Sequence, residues 1–123
     1  MEEITNLAQL REKIHNLHFS FLLKVHLALQ YSSNHPDEIK IIGIYWIDKN
    51  GVMCANSQVL GNFIGLKPNS INKNFALYGI NQIRFMKIRD QDYHQLIGKG
   101  KWVYRQSVKF SFKPETPISE IKS

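Results

Sequence analysis

Two short apolar-periodic segments stand only two residues apart, with Gly65 closing the first and Pro68 opening the second. Val59, Leu60, Phe63 and Ile64 form the apolar stripe of the first. It starts at Asn56 or Ser57, side chains that accept from the unpaired N–H groups of a helix start. Gly65 suits the left-handed backbone just past a helix end, and proline is tolerated as a first helical residue because its missing N–H has no partner to lose there. Gly79 suits the end of the second segment, so a helix is predicted over 68–79. Two short helices joined by so tight a turn make a helix-turn-helix.

On a wheel of 100° per residue the second helix sorts cleanly. Ile71, Phe75 and Tyr78 share one face, Asn69, Lys73 and Ala76 point the opposite way, and Ser70 and Asn72 flank the outward side. Asparagine can bond bidentately to adenine in the major groove, and serine and lysine reach base edges or phosphates, so this face suits groove reading. Pattern alone is equally compatible with a surface helix whose amides face water.

The flanking chain supplies a frame. Ile4, Leu7, Leu10 and Ile14 define a short amphipathic helix that Thr5 or Asn6 can cap, within an N-terminal segment 1–16. Residues 19–31, free of Gly and Pro, read as a core helix stopped by Ser32-Ser33-Asn34-His35-Pro36. The β-branched and aromatic run 41–47 reads as a strand entering the turn Asp48-Lys49-Asn50-Gly51. Beyond 79, a strand is predicted at 83–88. Along 102–113, Trp102, Tyr104, Val108, Phe110 and Phe112 alternate with Arg105, Ser107, Lys109 and Lys113, the pattern of a half-buried strand with an outward basic face. The loop between, with Gly98-Lys99-Gly100-Lys101, reads as a hairpin tip. A hairpin after a helix-turn-helix is a wing, so the fold class predicted is α+β, a winged helix-turn-helix over 17–113 with about three core helices and a small antiparallel sheet. Two prolines make 114–123 read as a polar tail.

Charge is informative once it is located. Of the net +6 in 123 residues, the first 40 carry four basic against five acidic side chains, whereas 41–113 carry eleven basic against Asp48, Asp90 and Asp92. Basicity gathered in this way suits a polyanionic partner, since neutralised phosphates release counterions. Lys99, Lys101, Arg105 and Lys109 are placed to touch the DNA backbone or a minor groove. Charge alone is equally compatible with a basic surface that binds nothing.

Other chemistries lack their residues. Five histidines and one cysteine show no paired metal-ligand spacing, so no metal and no cofactor is expected. Cys54 lacks a nucleophile motif around it, and Gly98-Lys99-Gly100-Lys101 lacks the glycine spacing and the following Ser or Thr of a phosphate loop. The chain is therefore read as a non-enzyme. No 18-residue apolar run is present, so no membrane partner is expected. The single cysteine and the acidic Met1-Glu2-Glu3 fit a reducing compartment, and DNA binding would make that the nucleus.

Several blocks resemble the initiator-binding domain of trichomonad transcription-initiation proteins. They are Lys24-Val25-His26, Ile42-Gly43-Ile44-Tyr45-Trp46-Ile47-Asp48, Lys99-Gly100-Lys101-Trp102 and, most specific, Gly65-Leu66-Lys67-Pro68-Asn69-Ser70-Ile71-Asn72-Lys73-Asn74. The resemblance, from about residue 21 to 112, implies a winged-helix variant whose recognition helix enters the major groove of an initiator element. Lys67, Asn69, Ser70 and Asn72 are the matched positions in that helix. Ala76 stands where the family motif has an arginine, with Lys73 on the same face, and 82–99 is longer by about one hairpin.

The resulting expectation is sequence-specific binding of double-stranded promoter DNA through Lys67, Asn69, Ser70, Asn72, Lys73, Lys99, Lys101, Arg105 and Lys109. The partners expected are duplex DNA and transcription-machinery proteins, with the domain a monomer because no dimerisation helix is evident. Two alternatives stay open: a winged-helix protein-interaction module of a nuclear complex, and a nonspecific nucleic-acid binder.

Overall fold

Ser20 begins the central helix, its hydroxyl oxygen accepting from the Leu23 N–H at 3.2 Å. From there α2 (Phe21–Asn34) runs through the middle of the domain, with Val25, Ala28 and Leu29 fully buried. The computed structural model describes residues 4–16, 18–83, 101–109 and 111–121. Before α2, the Asn6 side chain caps α1 (Leu7–Ile14), which lays Leu10 and Ile14 into the core against α2 and α4.

Pro36 then opens a 3-10 turn that continues into α3 (Ile39–Ile42), and Gly43 ends that helix at φ 91°. β1 (Ile44–Trp46) begins only after it. The strand expected at 41–47 thus loses its first residues to a helix. Burial of Ile39 and Ile42, three apart on one short helix, outweighs the β preference of branched side chains. The turn after β1 forms as its residues suggest, with Asp48 Oδ1 accepting from the Asn50 and Val52 N–H groups at 2.9 and 3.1 Å.

β2 (Met53–Ala55) has no counterpart in the sequence reading. Met-Cys-Ala carries no alternation, and it is a strand because neighbours pair with it on both sides. α4 (Ser57–Ile64) follows, capped by the Asn56 carboxamide, and Gly65 closes it at φ 91° with its N–H on the Gly61 carbonyl. After Leu66 and Lys67 comes α5 (Pro68–Leu77), with proline at its start as expected. β3 (Ile80–Gln82) and β4 (Val103–Ser107) complete an antiparallel sheet of order β1-β2-β4-β3. Among the described residues the architecture is therefore five helices and a four-stranded antiparallel sheet, the α+β winged-helix arrangement expected.

The sheet departs from the reading in detail. Where a strand is expected at 83–88, the described strand is Ile80–Gln82 and Ile83 lies outside it; residues 84–88 lie outside the described residues, as do Lys99, Phe110 and most of the 90–101 hairpin tip. The alternation along β4 is real, but its polarity is reversed. Arg105 pairs with Met53 and Val103 with Ala55, and Met53 and Ala55 belong to the main core under the helices. Trp102 and Tyr104 instead cover a second cluster of Ile39, Tyr45 and Cys54 on the opposite face. Val108, expected inward, is 64% exposed beyond the strand end. Cross-strand partners share a face, so pairing with β2 decides which way β4 points, and apolar groups wait on both sides.

The segment expected as a polar tail is held to the domain as far as residue 121. Phe112 and Ile121 join the main core, the Gln30 amide donates to the Pro114 carbonyl, and the Lys113 N–H donates to Thr116 Oγ1. Prolines keep this stretch out of the sheet. They do not keep Ile118 and Ile121 from packing on the core.

Candidate nucleic-acid interface

The second helix of the helix-turn-helix is built to be gripped from behind and left open in front. Ile71 and Phe75 are 0% exposed, and full burial of such side chains contributes roughly 1.5–3 kcal/mol each. Phe21 braces this back, meeting the Phe75 ring edge-on at 5.3 Å and stacking on Tyr78 at 6.1 Å. Asn69, Asn72, Lys73 and Ala76 are exposed on the front, and Ser70 is half-buried. Lys67 sits exposed at the N-cap position, its side chain makes no capping bond, and the first turn of α5 carries no acidic residue that would oppose an incoming anion.

Beside this helix lies a groove lined by polar and apolar groups together. The start of α4 contributes Asn56, Ser57, Gln58 and Val59, α5 contributes Pro68 and Asn72, and the sheet side contributes Gln82, Lys101, Val103 and Arg105. Three residues singled out from the sequence, Asn72, Lys101 and Arg105, therefore meet in one place. Ser57, Gln58 and Gln82 belong to it as well, and nothing in their local sequence marks them. Their presence depends on α4 and β3 flanking α5 in space.

Arg105 does not occupy the outward basic face first assigned to it. Its guanidinium lies over the Phe75 ring at 4.6 Å, Nη1 donates to the Ile80 carbonyl at 3.2 Å, and Nη2 donates to Asn72 Oδ1 at 3.1 Å. Burial pushes its pKa down from the usual value, and its Nε finds no hydrogen-bond partner among the described residues. The group still carries its charge, because arginine is not deprotonated in proteins. Asn72 Oδ1 also accepts from Ser57 Oγ at 2.6 Å, so α4, α5 and β4 are tied through one carboxamide oxygen.

Three further candidate cations, Lys73, Lys101 and Lys109, are exposed. Lys101 is exposed at the sheet end of the groove, and Lys73 projects from α5. Lys109 lies past β4 with its aliphatic stem against Gly79, where an added Cβ would come within 2.5 Å of its Cγ. That stem lies against the end of α5 while Lys109 remains exposed. Among the described residues no group of three His, Cys, Asp or Glu side chains could hold a metal ion, and no helix is long and apolar enough to cross a membrane.

A basic helix-turn-helix with its polar front uncovered is a shape many DNA-binding folds share, and comparison with known proteins narrows it. The family model for the transcription-initiator DNA-binding domain matches residues 2–102. The chain belongs to that family. Its fold is similar to that of the T. vaginalis IBP39 initiator binding domain, solved bound to the alpha-SCS Inr element, with a TM-score of 0.61 at 19% identity over 85% of this chain and 86% of that one. No curated protein sequence matches the chain. The matched family is a class of DNA-binding domains and not of enzymes.

Proposed function

We propose that this chain reads double-stranded DNA at initiator-type promoter elements, with α5 in the major groove. The observation that carries the reading is the uncovered front of α5, where Asn69, Asn72 and Lys73 are exposed while Ile71 and Phe75 are locked beneath, in a member of a transcription-initiator DNA-binding family. Base edges are read by the front of the helix, and phosphates are met by Lys67, Lys73, Lys101, Lys109 and the Lys99 region. Arg105 supports the helix from the side, and Ser70 stands at the margin of the contact face. The domain acts as a monomer in the nucleus, alongside proteins of the transcription machinery.

Selection from a pool of random duplexes at two salt concentrations tests this reading. A discrete enriched motif is expected, weakened by Asn72→Ala, while Lys101→Ala lowers affinity for all duplexes alike and reduces the salt slope by about one. Retention without a motif would instead indicate a backbone binder, and no retention at low salt would indicate a protein-interaction module.

A further inference from the structure

Asparagine in a recognition helix ordinarily offers both a donor and an acceptor to a base, and here one of the two is already spent. The Asn72 carboxamide oxygen has two lone pairs and two donors on it, Ser57 Oγ at 2.6 Å and Arg105 Nη2 at 3.1 Å. Which end of an amide is oxygen is settled by its neighbours, and a guanidinium can only donate, so the Arg105 contact fixes Oδ1 inward and the NH₂ outward. Arg105 is itself held by the Ile80 carbonyl and the Phe75 ring. Swinging it away would uncover a side chain that is 0% exposed.

We infer that Asn72 reads DNA as a hydrogen-bond donor alone, with Arg105 and Ser57 as positioning residues that hold it so. The inference rests on the DNA-reading function proposed above. Adenine's bidentate partner must accept from N6 and donate to N7, and the accepting half is occupied. The complement of a lone NH₂ is an acceptor with no donor beside it, as at guanine N7 and O6 or thymine O4, whereas adenine N7 stands next to the N6 donor that Asn72 can no longer accept from. The adenine reading that an asparagine at this position suggests from sequence is thereby replaced by a guanine or thymine reading.

The test starts from the enriched motif. The base pair whose preference Asn72→Ala abolishes is expected to be guanine or thymine on the contacted strand. Asn72→Asp keeps an acceptor for Ser57 and Arg105 and removes the donor, so it abolishes the preference as fully as alanine does. Arg105→Met still covers Phe75 and frees one of the two lone pairs of Oδ1, and preference at that one base pair moves toward adenine by about fivefold or more, the lower end of one base-edge discrimination. Ser57→Ala, milder for the fold, moves it the same way by less. A merely structural Arg105 would lower affinity for every duplex and leave the preference unchanged, which overturns the inference. So does an adenine at the Asn72-dependent position whose replacement by purine, lacking N6, weakens binding. In both cases the initiator reading stands; absence of any enriched motif overturns that reading and this inference together.

Discussion

The helix-turn-helix and the strand beside it carry the same kinds of residue and behave differently. Along α5 the side chains point where helical periodicity sends them, Ile71 and Phe75 inward and Asn69, Asn72 and Lys73 outward. Along β4 an equally regular alternation is turned over, so that Arg105 lies against Phe75 and Trp102 and Tyr104 face a second cluster. A helix satisfies its backbone within itself, and its one apolar stripe has one place to go. A strand satisfies its backbone through partners, and a central strand with groups on both faces takes its orientation from them. The lesson for a basic wing is that its cations divide. Lys101 and Lys109 are exposed, and Arg105 is taken up by Phe75, Ile80 and Asn72.

Removing the surface the two regions share separates them most strongly. Phe75→Ala is expected to destabilise the domain by about 3–5 kcal/mol, the usual cost of emptying a buried aromatic site, and to release Arg105 from its seat. Chemical denaturation gives the loss. A cost below about 1 kcal/mol would mean that the sheet does not brace α5 through this ring.

Gly43 breaks the joint between α3, β1 and α4. It adopts φ 91°, and an added Cβ would stand 2.4 Å from the Leu60 backbone nitrogen, an atom that cannot give way without moving α4. Gly43→Ala is expected to cost about 3 kcal/mol from strain and clash together. Thermal unfolding measures it, and α4 and α5 should lose their order along with the sheet. Survival of a native melting temperature would show that the two regions are less tightly joined than their contacts indicate.

The smallest effect concerns the C-terminal segment, which, like β4, is placed by contacts far away in sequence. His26 is 1% exposed beside the Phe112 ring, and burial lowers its pKa below the ordinary 6.5. The folded state therefore favours neutral His26, and the unfolded chain binds the extra proton. Its contribution is fully present above about pH 6.5 and is lost as pH falls from there toward the lowered folded value, at no more than about 1.4 kcal/mol per pH unit. His26→Gln should flatten this acid-side slope in a series of denaturation curves from pH 7 to 5. An unchanged slope would assign the loss to other groups.

Much of the helical half was legible from residues alone. Asn56, Gly65 and Pro68 mark their helix ends through backbone chemistry that acts within a few positions, and the face of α5 follows from its own spacing. Less of the sheet could be read. Met53–Ala55 has no pattern of its own, Ile41 and Ile42 prefer strands yet finish a helix, and the prolines near 114–117 conceal a segment that reaches the core at Ile121. Of the candidate site, Asn69, Asn72 and Lys73 could be placed on the outward face from sequence. That Ser57 and Arg105 converge on one oxygen of Asn72 could not, because they lie 15 and 33 residues from it and meet through the packing of α4 and the register of β4. Sequence determined what is local: helix ends, one apolar stripe, the charge of the second half and the family blocks. Tertiary structure alone decided which face of β4 looks toward α5, and hence which half of the Asn72 amide is bonded to Ser57 and Arg105, since a hydrogen bond between distant segments exists only once both are held in place.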